Sequence, residues 1–294
     1  MDNGGMKNAG FILKIVCPDQ PGIVYAVSQF LFQKGANIID SAQFSDRFTG
    51  RFFMRVHFEA AQAKLDLQNL ERDFQSIAQE KAMQAEFFSD AVKPRVLIMV
   101  SKLGHCLNDL LFRAQSQQLP IDIAAVVSNH EDFKPLVESY QIPFYCLPLS
   151  DQSDPRKSEQ EAFLLNLIEE QAIDLVVLAR YMQILSNDLC ERLSGRVINI
   201  HHSFLPSFKG ARPYLQAHQR GVKLIGATAH YVTADLDEGP IIEQDVTRVT
   251  HGDTPDDLVR KGRDLERTVL SRALRYYLHD RVLINGATSV VFSD

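Results

Sequence analysis

The chain has 294 residues, 45% hydrophobic and 23% charged, with a net charge of −6. At about 150 residues per domain the length predicts two domains, and the acidic balance argues against a nucleic-acid-binding surface. No apolar run approaches the ~20 residues of a membrane span, and Met1 to Lys7 lacks the apolar core of a signal peptide, so a cytoplasmic protein is expected. Phe11 to Cys17 alternates as a strand. Pro18-Asp19-Gln20-Pro21-Gly22 leads into a helix over Ile23 to Lys34, with Ile23, Val27, Phe30 and Leu31 on one face. Exposed N–H groups at that helix start suit a small anion such as a carboxylate. Gly35-Ala36-Asn37 ends the helix. Ile38 to Asp46, a turn over Arg47 to Gly50, and Arg51 to Phe58 make a hairpin. Ala61 to Lys81 has helical spacing and Gln84 to Ser89 closes as a strand, so residues 1–89 read as a βαββαβ, ferredoxin-like domain.

The wording Ile15-Val16-Cys17-Pro18-Asp19-Gln20-Pro21-Gly22-Ile23-Val24, with Lys34-Gly35-Ala36-Asn37-Ile38, resembles the ACT domain. That resemblance implies a regulatory or assembly domain over 1–89, an amino-acid effector bound there, and a homo-oligomer. Residues 90–94 are a linker, and 95–294 form the second domain. In it, apolar strands at Arg95 to Val100, Ile121 to Ser128, Phe144 to Leu149 and Asp174 to Ala179 alternate with helices at Leu103 to Gln117, Glu131 to Tyr140 and Lys157 to Gln171. The alternation predicts an α/β fold with a doubly wound, mostly parallel sheet. A helix over Asn187 to Leu193 leads to a strand over Val197 to His201, and a helix over Leu215 to Arg220 follows. Strands at Ile225 to Val232 and Ile241 to Arg248 precede a long helix over Thr254 to Leu278, capped by Asp253 or Thr254. Arg281 to Ile284 and Thr288 to Phe292 form a last hairpin around Asn285-Gly286.

The strand Val197 to His201 carries the chemistry. A period of two puts Asn199 and His201 on one face and Ile198 and Ile200 on the other. The pair sits at the C-terminal end of a strand, where open α/β sheets bind ligands. Asp235-Leu236-Asp237-Glu238-Gly239-Pro240 is a tight acidic loop. Folded back, it brings Asp237 to the pair. An Asn to hold an oxyanion, a His to move or stabilise charge and an Asp to orient water or accept a proton make an acyl-transfer site. Singly, Asn199 reads as a cap, His201 as a core histidine and Asp237 as turn chemistry; the combination points to a site. His201-His202 is the only adjacent His pair, and neighbouring strand residues face opposite ways, so it cannot chelate one ion. Cys17, Cys106, Cys146 and Cys190 lack metal-type spacing and read as reduced, packed residues, so no metal is expected.

From about Val96 to the end of the long helix, the chain resembles the formyltransferase fold that uses 10-formyltetrahydrofolate. Asn199-Ile200-His201, Ser203-Phe204-Leu205-Pro206, Leu236-Asp237-Glu238-Gly239-Pro240 and Leu178-Ala179-Arg180-Tyr181-Met182-Gln183-Ile184-Leu185-Ser186 carry the resemblance. It implies that Asn199, His201 and Asp237 are catalytic. Met182, Gln183, Ile184 and Leu185, with Val232, Thr233, Ala234 and Asp235, would hold the pterin. It implies no metal and no redox cofactor, since folate itself carries the one-carbon unit. Three departures sharpen the expectation. Ser101-Lys102-Leu103-Gly104-His105-Cys106-Leu107 has one glycine where the glycinamide ribonucleotide formyltransferases have a phosphate loop rich in Gly, Ser and Asn, too few for a multi-amide cradle. His202 stands where those enzymes have Pro. No counterpart is expected of the nucleic-acid-binding domain of the methionyl-tRNA formyltransferases. With the ACT-like start and Lys209-Gly210-Ala211-Arg212-Pro213-Tyr214, the chain resembles the formyltetrahydrofolate deformylases, in which the acceptor is water. Hydrolysis to tetrahydrofolate and formate is then expected, balancing one-carbon pools and supplying formate to purine synthesis. His202, Lys209, Arg212 and Tyr214, with Lys102 and His105, are second-tier site candidates. Two other readings stay open: transfer to a small amine, and a non-catalytic folate or amino-acid sensor. Formate release without an amine separates them.

Overall fold

The structure, a computed structural model, describes residues 9–60, 66–149, 154–207 and 213–293. The chain forms two compact units. The first runs up to Lys93 and also takes in His279–Asn285 and Val290–Asp294; the second comprises Pro94–Leu278 and Gly286–Ser289.

The first unit contains β1 (Ala9–Pro18), α1 (Ile23–Gln33), β2 (Ala36–Asp46), β3 (Arg51–Ala60), α2 (Leu67–Glu80) and β4 (Gln84–Ser89). The strands form an antiparallel sheet in the order β2-β3-β1-β4, the ferredoxin-like arrangement that the periodicity predicts. Residues 61–65, where the sequence starts the second helix, lie outside the described residues. The described helix follows Asp66, whose side chain accepts from the Asn69 N–H at 2.7 Å as an N-cap. Aromatic rings fill the core: Phe30 meets Phe74 edge-on with centroids 5.0 Å apart, and Phe87 meets Phe58 at 6.4 Å.

The sequence reading carries the second domain to residue 294, but His279–Asn285 and Val290–Asp294 group with the first unit. The physical reason lies in buried charge. Arg55 is 3% exposed, and its Nε donates to the His279 carbonyl at 2.9 Å while Nη1 pairs with Asp40 at 2.9 Å. Lys14 pairs with Asp280 at 3.3 Å, and the Asn285 amide donates to Asp46 at 2.8 Å. The tail thus supplies partners that buried charge requires.

The second unit is built on a sheet of β5 (Arg95–Val100), β6 (Asp122–Ser128), β7 (Phe144–Cys146), β8 (Leu175–Leu178), β9 (Val197–His201), β10 (Leu224–Tyr231) and β11 (Ile241–Arg248). Between the strands run the helices α3 (His105–Gln115), α4 (Lys134–Ser139), α5 (Lys157–Glu170), α6 (Asn187–Arg192) and α7 (Pro213–Gln219). Their order is β11-β10-β9-β8-β5-β6-β7. β9, β8, β5, β6 and β7 are parallel, whereas β10 runs antiparallel to both β9 and β11. Five of the six β5 residues are buried, as a strand covered on both faces requires. The helix read from Glu131 begins later, as α4 (Lys134–Ser139), because Pro135 is suited to a helix's first turn. The chain leaves β5 for β6 and β7 on one side and returns through β8 and β9 on the other. The crevice therefore opens at the carboxyl ends of β5 and β8. There the Ser101 N–H donates to the Arg180 carbonyl at 3.2 Å, its hydroxyl donates to Asn129 at 2.7 Å, and the Met182 N–H donates to that hydroxyl at 3.0 Å. Three strand-following loops are tied together by one serine. The long helix α8 (Pro255–Leu278) packs on β10 and β11. It starts with a reciprocal cap: the Asp257 N–H donates to the Thr254 hydroxyl at 3.2 Å, and the Thr254 N–H donates to the Asp257 carboxylate at 3.0 Å. No helix among the described residues is long and apolar enough to cross a membrane.

Candidate active site

β9 places Asn199 and His201 on one face, with Ile198 and Ile200 buried on the other. The antiparallel register sets His230 of β10 opposite Asn199. His230 Nδ1 lies 2.8 Å from the Tyr231 carbonyl, to which it must donate. Its Nε2 is then an acceptor, and the Asn199 amide nitrogen donates to it at 3.2 Å. That bond fixes which way the carboxamide points and leaves its second N–H for another acceptor. Burial lowers the basicity of His230, consistent with a neutral ring.

The acidic loop after β10 folds back as expected. The Tyr231 N–H donates to the Pro240 carbonyl at 2.9 Å and closes the loop. A side chain at Gly239 would place its Cβ 1.8 Å from the Tyr231 carbonyl oxygen, so this crossing needs glycine. Asp237 takes a left-handed backbone, φ 59°, which Asp tolerates better than most residues. Its Oδ1 lies 3.2 Å from His201 Nδ1 and 3.8 Å from His230 Nε2. Burial pushes the Asp237 carboxyl up, but the hydrogen bond and charge of His201 outweigh it and hold it below the usual carboxylate range. His201 Nε2 is buried and has no hydrogen-bond partner among the described residues. With Nδ1 turned to Asp237, Nε2 is the nitrogen left for a substrate.

These three side chains line one wall of a cavity of about 210 Å³. Met182, Gln183, Ile184 and Leu185 line another part, and Val232, Thr233 and Ala234 a third. Met182 and Ile184 are exposed at the mouth, an apolar surface suited to a flat ring. Asp235 is in the same turn but off the cavity wall; its carbonyl accepts from the Thr233 hydroxyl at 3.0 Å. His202 lines the cavity too. Lys102 is exposed and off the wall, and Lys209 and Arg212 lie outside the described residues.

Tyr214 and His105 belong to a buried cluster that sequence reasoning does not assemble. Glu266 of α8 is 1% exposed. It accepts from the Tyr214 hydroxyl at 2.6 Å, lies 2.7 Å from His105 Nε2, and pairs with Arg180 Nη1 at 3.5 Å. A Cβ at Gly262, one turn earlier in α8, would sit 2.1 Å from the Tyr214 ring, so that glycine makes the space through which Tyr214 reaches Glu266. Arg180 is buried with φ 67°, a strained backbone for this residue type. His105, Cys106 and Glu266 bring potential metal-ligand atoms within 4.8 Å of one another. The Arg180 charge beside Glu266 opposes a cation there. Sequence reading missed His230, Arg180 and Glu266. A glycine inside a long amphipathic helix was the one available signal, pointing to Gly262 and its face.

Residues 94–274 match the Formyl transferase family and residues 10–88 the ACT domain. The chain is 47% identical to a formyltetrahydrofolate deformylase of Synechocystis sp., over 98% of this chain and 100% of the relative. A protein of the same name from Bacillus subtilis is 47% identical, over 98% of this chain and 95% of the relative. The crystal structure of a formyltetrahydrofolate deformylase from Pseudomonas syringae pv. tomato superposes with a TM-score of 0.94 at 48% identity, covering 99% of this chain and 96% of that one. Glycinamide ribonucleotide transformylase 1 from Symbiobacterium toebii superposes at 0.65 and 29% identity, over 70% of this chain and 97% of its own.

Proposed function

The chain belongs to the formyltetrahydrofolate deformylase family, and on that premise we propose that the cavity at the end of β9 is where 10-formyltetrahydrofolate is hydrolysed to tetrahydrofolate and formate. The pterin lies between Met182 to Leu185 and Val232 to Ala234, and the formyl carbon sits beside Asn199. Water adds to that carbon. The tetrahedral oxyanion accepts from the Asn199 N–H that His230 leaves free and from a charged His201 through Nε2. One such donor contributes about 2.7–4 kcal/mol to lowering the barrier. Asp237 acts through His201, holding Nδ1 so that Nε2 faces the substrate. The leaving nitrogen, aniline-like and weakly basic, takes its proton from His201. No step calls on a metal or redox cofactor.

The observation that carries this reading is the alignment of Asp237, His201 and an unpartnered Nε2 on the face that also presents Asn199. Residues 95–278 do the chemistry, and the first unit with its tail serves regulation and assembly. An amino-acid effector fits that role at the start of α1, whose first N–H groups take no side-chain cap among the described residues. The assembly is a homo-oligomer. β2 is an edge strand exposing Ile38, Ile39 and Phe44, apolar groups that an unpaired edge does not leave open without a partner.

The test is turnover in plain buffer without amine or added metal, for wild type and Asp237→Asn. Formate equal to tetrahydrofolate, with a rate about 10²–10³-fold lower in the variant, is expected. A requirement for an amine would mean a transferase, and binding without turnover a sensor.

A further inference from the structure

We propose that His202 holds the water that attacks the formyl carbon and takes its proton. The inference rests on the reading of the Asn199, His201 and Asp237 site above and assigns the one role that site leaves unfilled. Asp237 Oδ1 faces His201 Nδ1 at 3.2 Å, and in that reading Asn199 and His201 face the oxyanion, so none of the three is assigned to the proton that water loses. His202 follows at the point where β9 ends and strict alternation lapses, and it lines the same cavity as those three. Its ring centroid is 5.2 Å from that of His201. It also borders a second, largely apolar cavity of about 360 Å³ against Phe204, Tyr214, Ile225 and Val246, so it stands between the two cavities. Among the described residues, no group hydrogen-bonds to its ring nitrogens.

What lies behind His202 is built to hold it. The Tyr214 ring meets it edge-on at 6.1 Å. Tyr214 is anchored in turn on Glu266, together with His105 and Arg180, from four separate segments of the chain. The charged and titratable groups facing His202 are Arg180, Glu266, His201, Asp237 and Tyr214. Burial, with the Arg180 charge, pushes its basicity down to about 3, so the imidazole is neutral and keeps a free lone pair at neutral pH. A weak base suffices, because water becomes a far stronger acid than imidazolium once it bonds to the carbonyl carbon.

The step balances. The C–O bond forms, the carbonyl π pair moves onto the oxyanion, and an O–H proton passes to His202. The C–N10 bond then breaks with its electron pair on N10, which takes the proton of His201. Formic acid is released and ionises, and the proton on His202 returns through solvent to His201.

Hydroxylamine tests the assignment, since it attacks formyl groups without a base to activate it and gives formohydroxamate. The ratio of formate to formohydroxamate is read in wild type, in His202→Phe, which keeps a ring against Tyr214, and in His202→Gln, which keeps a polar acceptor. With the enzyme-free hydroxylamine reaction subtracted, the ratio does not depend on how much of each variant is folded. We expect it to fall about 10²-fold or more in His202→Phe, within the range of lost general-base catalysis, and less in His202→Gln. A ratio unchanged from wild type, whatever the absolute rates, overturns the proposal. Wild type that releases no formate without hydroxylamine would instead overturn the parent reading of the site.

Discussion

Glu266 shows how a single carboxylate organises this site from behind. Burial pushes its carboxyl up, but the His105 hydrogen bond, the Arg180 charge and the Tyr214 hydroxyl outweigh it and hold it below the ordinary range. A carboxyl lowered on folding stabilises fully above its unfolded value of about 4.3 and loses that contribution as pH falls through the folded value. Thermal melts from pH 7 downward should therefore show wild type losing stability below about pH 5 more steeply than Glu266→Gln. At pH 7 the variant should be less stable by about 3–5 kcal/mol, since Arg180 would be left buried without its counter-charge. Parallel melting curves would show that the carboxyl is not what holds the cluster. Asn199, His201 and Asp237 were legible in the sequence because a period of two and one acidic turn suffice to place them. His230, Arg180 and Glu266 were not. Their roles come from a cross-strand register and from the docking of α8, neither of which is written in local pattern.

At the scale of elements, the loop between β10 and β11 does two jobs at once. It brings Asp237 to His201, and its Val232 to Ala234 stretch lines the cavity. Gly239 permits both by letting the chain cross the Tyr231 carbonyl. Gly239→Ala should push the loop off this crossing and displace Asp237 by an ångström or so, lowering kcat about 10²-fold and weakening tetrahydrofolate binding as well. An unchanged kcat would mean that the loop can shift without carrying Asp237. The turn was readable from Asp237-Glu238-Gly239-Pro240, but the reason for its glycine is a clash with a strand eight residues earlier, which only the folded chain reveals. Strand and helix identities were likewise legible from periodicity, while ends such as that of α4 depended on where a proline could be accommodated.

For the whole molecule, the exposed edge of β2 lets the proposed assembly be tested. Ile39→Lys combined with Phe44→Lys should move the particle mass by light scattering toward that of one chain, 33.2 kDa, while hydrolysis persists. An unaltered mass would overturn β2 as the proposed contact. The domain order was legible, but the tail's allegiance was not, because it depends on buried Arg55 and half-buried Lys14 finding partners far along the chain. That arrangement has a consequence for biogenesis. A ribosome makes the first unit's strands early and His279 and Asp280 near the end. While the intervening residues emerge, Arg55 lacks the carbonyl it will be buried against and Lys14 lacks its acid. The unit translated first is thus the last that can be completed, and a fragment cut at Lys93 would carry that unfinished state permanently.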